Sequence, residues 1–366
     1  MSRRPSPQPV TAGEPVTAAA PTRAPSASAS VSRGALLVAA LVVVLAGLCL
    51  VSIAYGALRV PVGDVARTLF GDPPTTRIDH VVWSVRVPRT ILGIAAGAAL
   101  GLSGAVMQAI TRNPLADPGI LGVSAGATFA IVLAVGSLGV GSLYGYIWFG
   151  FAGALAAGAV VYALGGLGRS GSTPVKLALA GVAVTAMLNS FTNGIVLTDP
   201  EALNRYRFWS AGSLAGQDAG VVKQVLPFLV VGAILALACA PALNSLALGD
   251  DVAAALGRRI AWVRFAAAAA ITLLTGGAVA VIGPVVFVGL VVPHMARILA
   301  RAAGIGPDQR WLLPLSALLA SCLLLAADLA GRLIARPVEI QAGVLVAVIG
   351  GPFFIALVRR RRLAEV

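Results

Sequence analysis

Gly34-Ala-Leu-Leu-Val-Ala-Ala-Leu-Val-Val-Val-Leu-Ala-Gly-Leu-Cys-Leu-Val-Ser-Ile-Ala-Tyr-Gly56 carries no charged residue along its whole length. A helix needs about 20 apolar residues to cross a hydrocarbon core of roughly 30 Å. In that core every backbone amide must find its partner within the segment, so the run reads as a membrane-spanning helix. Further apolar stretches follow at 90–110, 119–140, 143–168, 175–197, 220–243, 263–282, 285–300, 312–334 and 342–358. Nothing alternates apolar and polar residues as the strands of a transmembrane barrel do. The expected fold is therefore an all-α polytopic membrane protein with about ten transmembrane helices. The eighth stretch is short enough to read as a partial or broken helix.

Composition agrees. Of 366 residues, 58% are hydrophobic and 11% charged, whereas soluble domains carry about 25% charged residues. The net charge of +13 comes from scarce acids and scattered arginines. No basic stripe is interleaved with aromatics, which argues against nucleic acid as a partner. Cys49, Cys239 and Cys322 each stand alone in an apolar run and read as packing residues. Residues 1–32 are rich in Pro, Ala, Thr and Ser and read as a disordered cytoplasmic tail. The Arg3-Arg4 pair is too far from the first apolar run to read as a twin-arginine signal. The domain expected from 33 to 360 is a single transmembrane unit.

With ten crossings both termini share one side. Placing them in the cytoplasm puts most of the 27 Lys and Arg residues inside. That set comprises the N-terminal arginines, Arg112, Arg169 with Lys176, Arg258 with Arg259 and Arg264, Arg297 with Arg301 and Arg310, and Arg359 to Arg362. This bias predicts a multi-pass protein of the cytoplasmic membrane with both termini inside. Gly93, Gly97 and Gly101 stand four apart, as do Gly122 and Gly126, a spacing that lets helix backbones approach closely.

Between the first and third stretches the chain reads Arg86-Val-Pro-Arg89-Thr, then Gly97-Ala-Ala-Leu-Gly101-Leu-Ser-Gly104-Ala-Val-Met107-Gln108. Asn113-Pro114-Leu-Ala-Asp-Pro118-Gly-Ile-Leu-Gly122-Val-Ser-Ala-Gly126 follows. Further on come Trp209-Ser-Ala-Gly-Ser213, Leu248-Gly249-Asp250-Asp251-Val-Ala-Ala254-Ala-Leu256-Gly257, Gly283-Pro-Val-Val-Phe-Val-Gly-Leu-Val-Val-Pro293-His294-Met-Ala-Arg297 and Asp328-Leu-Ala-Gly-Arg332. The last block is Gly343-Val-Leu-Val-Ala-Val-Ile-Gly350-Gly-Pro352-Phe-Phe354. In order and spacing these blocks resemble the FecCD family, the ABC-transporter permeases that import iron chelates and vitamin B12. The resemblance covers about residues 35 to 360. One departure is Glu339-Ile-Gln341-Ala-Gly343, where the family has Glu-Leu-Pro.

The resemblance implies the permease half of a type II ABC importer, paired with an identical or paralogous permease, two ATP-binding subunits and a substrate-binding protein. It implies that Arg86, Arg89 and, third, Arg332 pair with acidic residues of that binding protein. An arginine fork suits a carboxylate, although arginines at a span end can also be interfacial anchors. It also implies that Leu248, Gly249, Asp250, Asp251, Ala254, Leu256 and Gly257, within a cytoplasmic loop at 244–262, form the helix that couples to the ATPase. Asp250 suits a helix start and Gly257 a stop. A helix lying on the membrane surface would read the same way. Asn113, Pro114, Pro293 and His294 are the family motif and gate positions.

No G-x-x-x-x-G-K-[ST] stretch surrounds Lys176 or Lys223, the only two lysines, so nucleotide hydrolysis is expected of another subunit. No catalytic constellation, metal site or cofactor site is read, and the chain is not expected to be an enzyme. Asp328 is the acid placed well inside a span, and Arg332 one turn on predicts an intrahelical ion pair. Gln108, Asn189 and Asn193 are neutral groups able to bond across helices. Bulky ferric siderophore is the expected cargo, with cobalamin or haem as alternatives. An ion-coupled secondary carrier is the rival class, and it would show several intramembrane acids or paired broken helices.

Overall fold

The computed structural model describes residues 27–56, 80–166, 174–198, 209–335 and 338–364, with separate positions at 63, 67–68, 71, 203 and 206–207. Among the described residues there are twelve α-helices and no strand. They are α1 (Ala27–Ala54), α2 (Val87–Thr111), α3 (Val123–Gly136), α4 (Leu143–Gly166), α5 (Pro174–Val196) and α6 (Ala219–Ala238). The rest are α7 (Ala240–Ala247), α8 (Asp250–Ala255), α9 (Ile260–Ile282), α10 (Val288–Ala302), α11 (Gln309–Ile334) and α12 (Ala342–Ala364). Every expected apolar stretch contains a helix. Among the described residues seven helices are long and apolar enough to cross a membrane, against the ten crossings expected.

The differences have local causes. α3 is 14 residues long and reaches about 21 Å at 1.5 Å per residue, less than the expected 119–140 stretch. Its start is fixed by Gly122, left-handed at φ 79°, where only glycine sits without strain. α10 has 15 residues with Pro293 inside it, in keeping with the short eighth stretch. α1 begins at Ala27, inside the segment expected to be a tail; alanine favours helix, and residues 1–26 lie outside the described residues. The sixth stretch breaks at Cys239, and α7 resumes at once with Pro241 in its first turn. The 244–262 loop therefore holds the end of α7 as well as α8.

α2 is the centre of the bundle. It packs against α11 along its length and against α9, α10 and α6 elsewhere. A π-turn at Val82–Arg86 leads into it, at the point where Pro88 cannot donate a hydrogen bond to the preceding turn. The glycine row does what its spacing implies. A Cβ on Gly97 would lie 2.6 Å from the Cα of Ser321, and one on Gly101 would strike the Ser316 carbonyl. Across α3 and α4, Gly126 and Gly153 face each other in the same way. In contrast, α1 turns Leu36, Val43 and Leu50 outward, and α5 turns out Leu179, Val182 and Phe191. Exposed apolar surface of that extent belongs in lipid or against another chain.

One irregular segment, residues 211–217, runs between helices with Gly212 and Leu214 buried and Ala215 and Gly216 exposed. Ser213 N–H donates to the Ile282 carbonyl at 2.9 Å and the Gln217 amide to the Val281 carbonyl at 2.9 Å, so the end of α9 supplies partners for this non-helical backbone.

Candidate functional site

At the end of the bundle where α1 stops, five charged residues meet. Arg89, at the start of α2, sets its Nε and Nη2 against the Asp328 carboxylate, Nη2 at 2.7 Å. Its Nη1 donates to Glu339 at 2.8 Å. Arg332 approaches the same carboxylate, Nε to Oδ2 at 2.9 Å, and bonds the Ser52 and Tyr55 carbonyls at the end of α1. Arg86 donates to the Ile53 and Ala54 carbonyls at 2.7 and 2.9 Å. The last carbonyls of a helix carry partial negative charge and lack intrahelical donors, so these arginines cap α1. The expected Asp328–Arg332 pair is present, and Arg89 doubles it.

Arg86, Arg89 and Arg332, expected to pair with acids of a binding protein, are 4%, 8% and 3% exposed, and their guanidiniums bond Asp328, Glu339 and the end of α1. Glu339 was not singled out from the sequence. Ile340 N–H bonds the Gly331 carbonyl at 3.2 Å, which folds 338–341 back over α11 and brings Glu339 beside Arg89. Gln341, where the family has proline, immediately precedes α12.

At the opposite end, α8 begins after Gly249, whose φ of 114° excludes other residues. Gly257, at φ 76°, donates to Ala254, and Arg258 to Ala253, so glycine ends the helix as expected. Asp250 does more than start it. Its carboxylate takes Arg264 Nη2 from α9 at 2.7 Å and also Arg112 Nη2, while Arg112 Nε donates to the Leu246 carbonyl at 2.8 Å. Ala253 is fully buried, whereas Leu248, Val252 and Leu256 are 66%, 44% and 59% exposed. Val252 of α8, with Leu248 just before the helix and Leu256 just after it, therefore offers a short apolar patch outward, while two ion pairs to Asp250 fix the root of α8. Asp251 and Ala254 are exposed beside it.

The motif positions occupy turns and seams between the two ends. Asn113 and Pro114 follow Arg112, which ends α2 in a left-handed conformation; Asn113 Oδ1 accepts from Leu115 N–H at 3.0 Å. Pro293 lies inside α10, and the His294 ring stands edge-on to Phe353 of α12 at 5.8 Å. Gln108 does bond across helices: its amide donates to the Gly289 carbonyl at 3.0 Å and its Oε1 accepts from Arg297 at 2.6 Å.

Asp117, in the connection before α3, is buried and accepts from the N–H groups of Gly119 and Ile120 at 2.8 and 3.2 Å. Burial pushes its carboxyl up to about 6, against the pull of those two donors. Its unfolded value lies near 4, so the stability contribution is full below about 4 and is lost as pH rises through about 6. Thermal unfolding of the purified protein across that window should follow this slope. Asp117→Asn, which keeps an acceptor oxygen, should flatten it.

The FecCD transport family model matches residues 35–360. The chain is 45% identical over 337 residues to the ferric enterobactin transport system permease protein FepD of Escherichia coli (strain K12), covering 92% of this chain and 98% of that protein. It is 40% identical over 283 residues to the probable siderophore transport system permease protein YfiZ of Bacillus subtilis (strain 168), 77% and 84% of the two chains. A solved inward-facing structure described as of the metal-chelate ABC transporter type aligns with a TM-score of 0.73 at 27% identity, over 89% of this chain and 99% of that one. With the family model matched over residues 35–360 and a relative 45% identical along almost its full length, this chain belongs to the FecCD transport family.

Proposed function

We propose that this chain is the membrane-spanning permease subunit of an ATP-driven importer for ferric siderophores. The observation that carries the reading is α8. Leu248, Val252 and Leu256, in it and at its two ends, stand exposed among the described residues, and Asp250 links its root to α2 and α9 through Arg112 and Arg264. A partner that pushes on α8 would move two long helices, which is what a separate ATP-binding subunit needs in order to drive alternating access. Ten crossings, both termini in the cytoplasm, two ATPases below and a substrate-binding protein above complete the reading.

The pathway is assigned to the outward face of α5. Asn189, Ser190 and Asn193 are exposed there among apolar neighbours. Polar groups facing hydrocarbon are expensive, so that face belongs against a second permease, identical or paralogous, and the water between them. A bulky, mildly polar cargo suits such a face; cobalamin and haem are the other cargoes of this kind. The rival ion-coupled carrier needs an acid free to load and unload inside a span. Asp328 is held by Arg89 and Arg332 and does not supply it.

Reconstitution tests the reading. Vesicles holding this chain with its ATP-binding subunit should accumulate radiolabelled ferric siderophore only when ATP is available to that subunit. Accumulation driven by an imposed proton or sodium gradient without ATP would overturn it.

A further inference from the structure

A cavity of about 590 Å³ opens between the end of α2, the 112–123 connection, α4 and α9. Its size falls within the roughly 300–1,000 Å³ of ligand sites. Its chemistry is divided. Met107, Ile110, Leu155, Val161 and Ile271 form apolar walls, while Arg112, Arg264 and Asn113 gather at one end. The two guanidiniums share the single carboxylate of Asp250, which leaves one positive charge in excess. Each arginine has five N–H donors. Arg112 bonds Leu246 and Asp250, and Arg264 bonds Asp250, so donors on both remain for a ligand. Their side chains are 44% and 49% exposed.

Two aromatic residues mark the depth of this mouth. Tyr162 lines the cavity and is 62% exposed, and Trp262 stands 64% exposed in the first turn of α9, two residues before Arg264. Exposed Tyr and Trp near span ends sit at the level of lipid headgroups. An apolar cleft with a cationic rim at that depth has the two-part chemistry of an amphiphile, and basic pockets between spans on the cytoplasmic side hold anionic headgroups.

We propose that this cavity is a binding site for an anionic glycerophospholipid of the leaflet facing α8, with the phosphate on Arg112 and Arg264 and one acyl chain between α4 and α9. The proposal rests on the membrane-embedded reading and not on the identity of the cargo. Arginine suits phosphate because its planar fork bonds two oxygens at once.

The test uses the assembled transporter, permease with ATP-binding subunit, in phosphatidylcholine nanodiscs containing phosphatidylglycerol with a photoactivatable acyl chain. Cross-linked peptides should map to the cavity walls of α2, α4 and α9. Unlabelled phosphatidylglycerol should compete; phosphatidylcholine and inorganic phosphate should not. Arg264→Gln should lower labelling about tenfold, the loss expected for one hydrogen bond to a charged group. Gly158→Phe should abolish it with the complex still assembled, because a Cβ at Gly158 meets only Val123, at 3.6 Å, and the ring then enters the cavity. Ala268→Leu, from the facing wall, serves the same purpose should the first variant fail to assemble. Labelling spread evenly over the outer helices, labelling unchanged by the cavity-filling variants, or equal competition by phosphatidylcholine or inorganic phosphate would each overturn the site.

Discussion

Asp328→Ala is expected to destabilise the protein by roughly 3–5 kcal/mol, the range for removing one partner from a buried ion pair. Asp328 is 1% exposed and is the carboxylate on which Arg89 and Arg332 converge. Without it, two guanidiniums lie beside each other away from water, with Glu339 the remaining acid in contact, and only with Arg89. The end of α1 should loosen too, because Arg332 holds the Ser52 and Tyr55 carbonyls only while Asp328 orients it. Thermal unfolding in detergent reads the effect directly. Replacing Arg89, Asp328 and Arg332 together by Met, Leu and Met should recover much of the loss, since an apolar substitute removes the desolvation cost of the whole network. An Asp328→Ala protein that melts with the unaltered chain would show that the cluster is not structural. Charge reversal at Arg89 should likewise misfold the protein, not merely weaken docking.

The second large effect concerns α8. Changing Leu248, Val252 and Leu256 together to serine should leave the permease folded, because all three side chains point away from the bundle. It should remove most of the apolar area available to an ATP-binding subunit. Full burial of a leucine or valine is worth roughly 1.5–3 kcal/mol. Three such residues, partly exposed to begin with, amount to several kcal/mol, enough to abolish copurification of the two subunits. Asp250→Asn separates binding from transmission. The stripe survives, but Arg112 and Arg264 lose their shared anion, so ATP turnover should continue while import falls. Normal copurification by the triple variant would refute the contact, and normal import by Asp250→Asn would refute the linkage.

The apolar runs made the helices legible because hydrocarbon leaves the backbone no alternative. Helix ends were less legible. Cys239 breaks a run that is apolar on both sides, and no residue type announces it. Gly257 did announce an end, since a left-handed turn has few other candidates, whereas Gly122, read for close packing inside the 119–140 stretch, instead sets the start of α3. The Arg–Asp–Arg cluster was half legible. An acid inside a span needs a cation, and Arg332 is one turn away, but Arg89 is 239 positions distant along the chain and looks the same whether it faces solvent or Asp328. The cue was that one guanidinium is a modest match for an acid at that depth. Asp250 was read as a helix start when its main work is to gather two arginines from α2 and α9. Only the tertiary arrangement brings those together.

The seam between α2 and α11 has a mechanical consequence. With Gly97 and Gly101 laid directly on the backbone around Ser316 and Ser321, neither helix can slide or roll past the other without main chain striking main chain. The pair therefore behaves as a stiff spine. Opening and closing must be carried by limbs hinged to it.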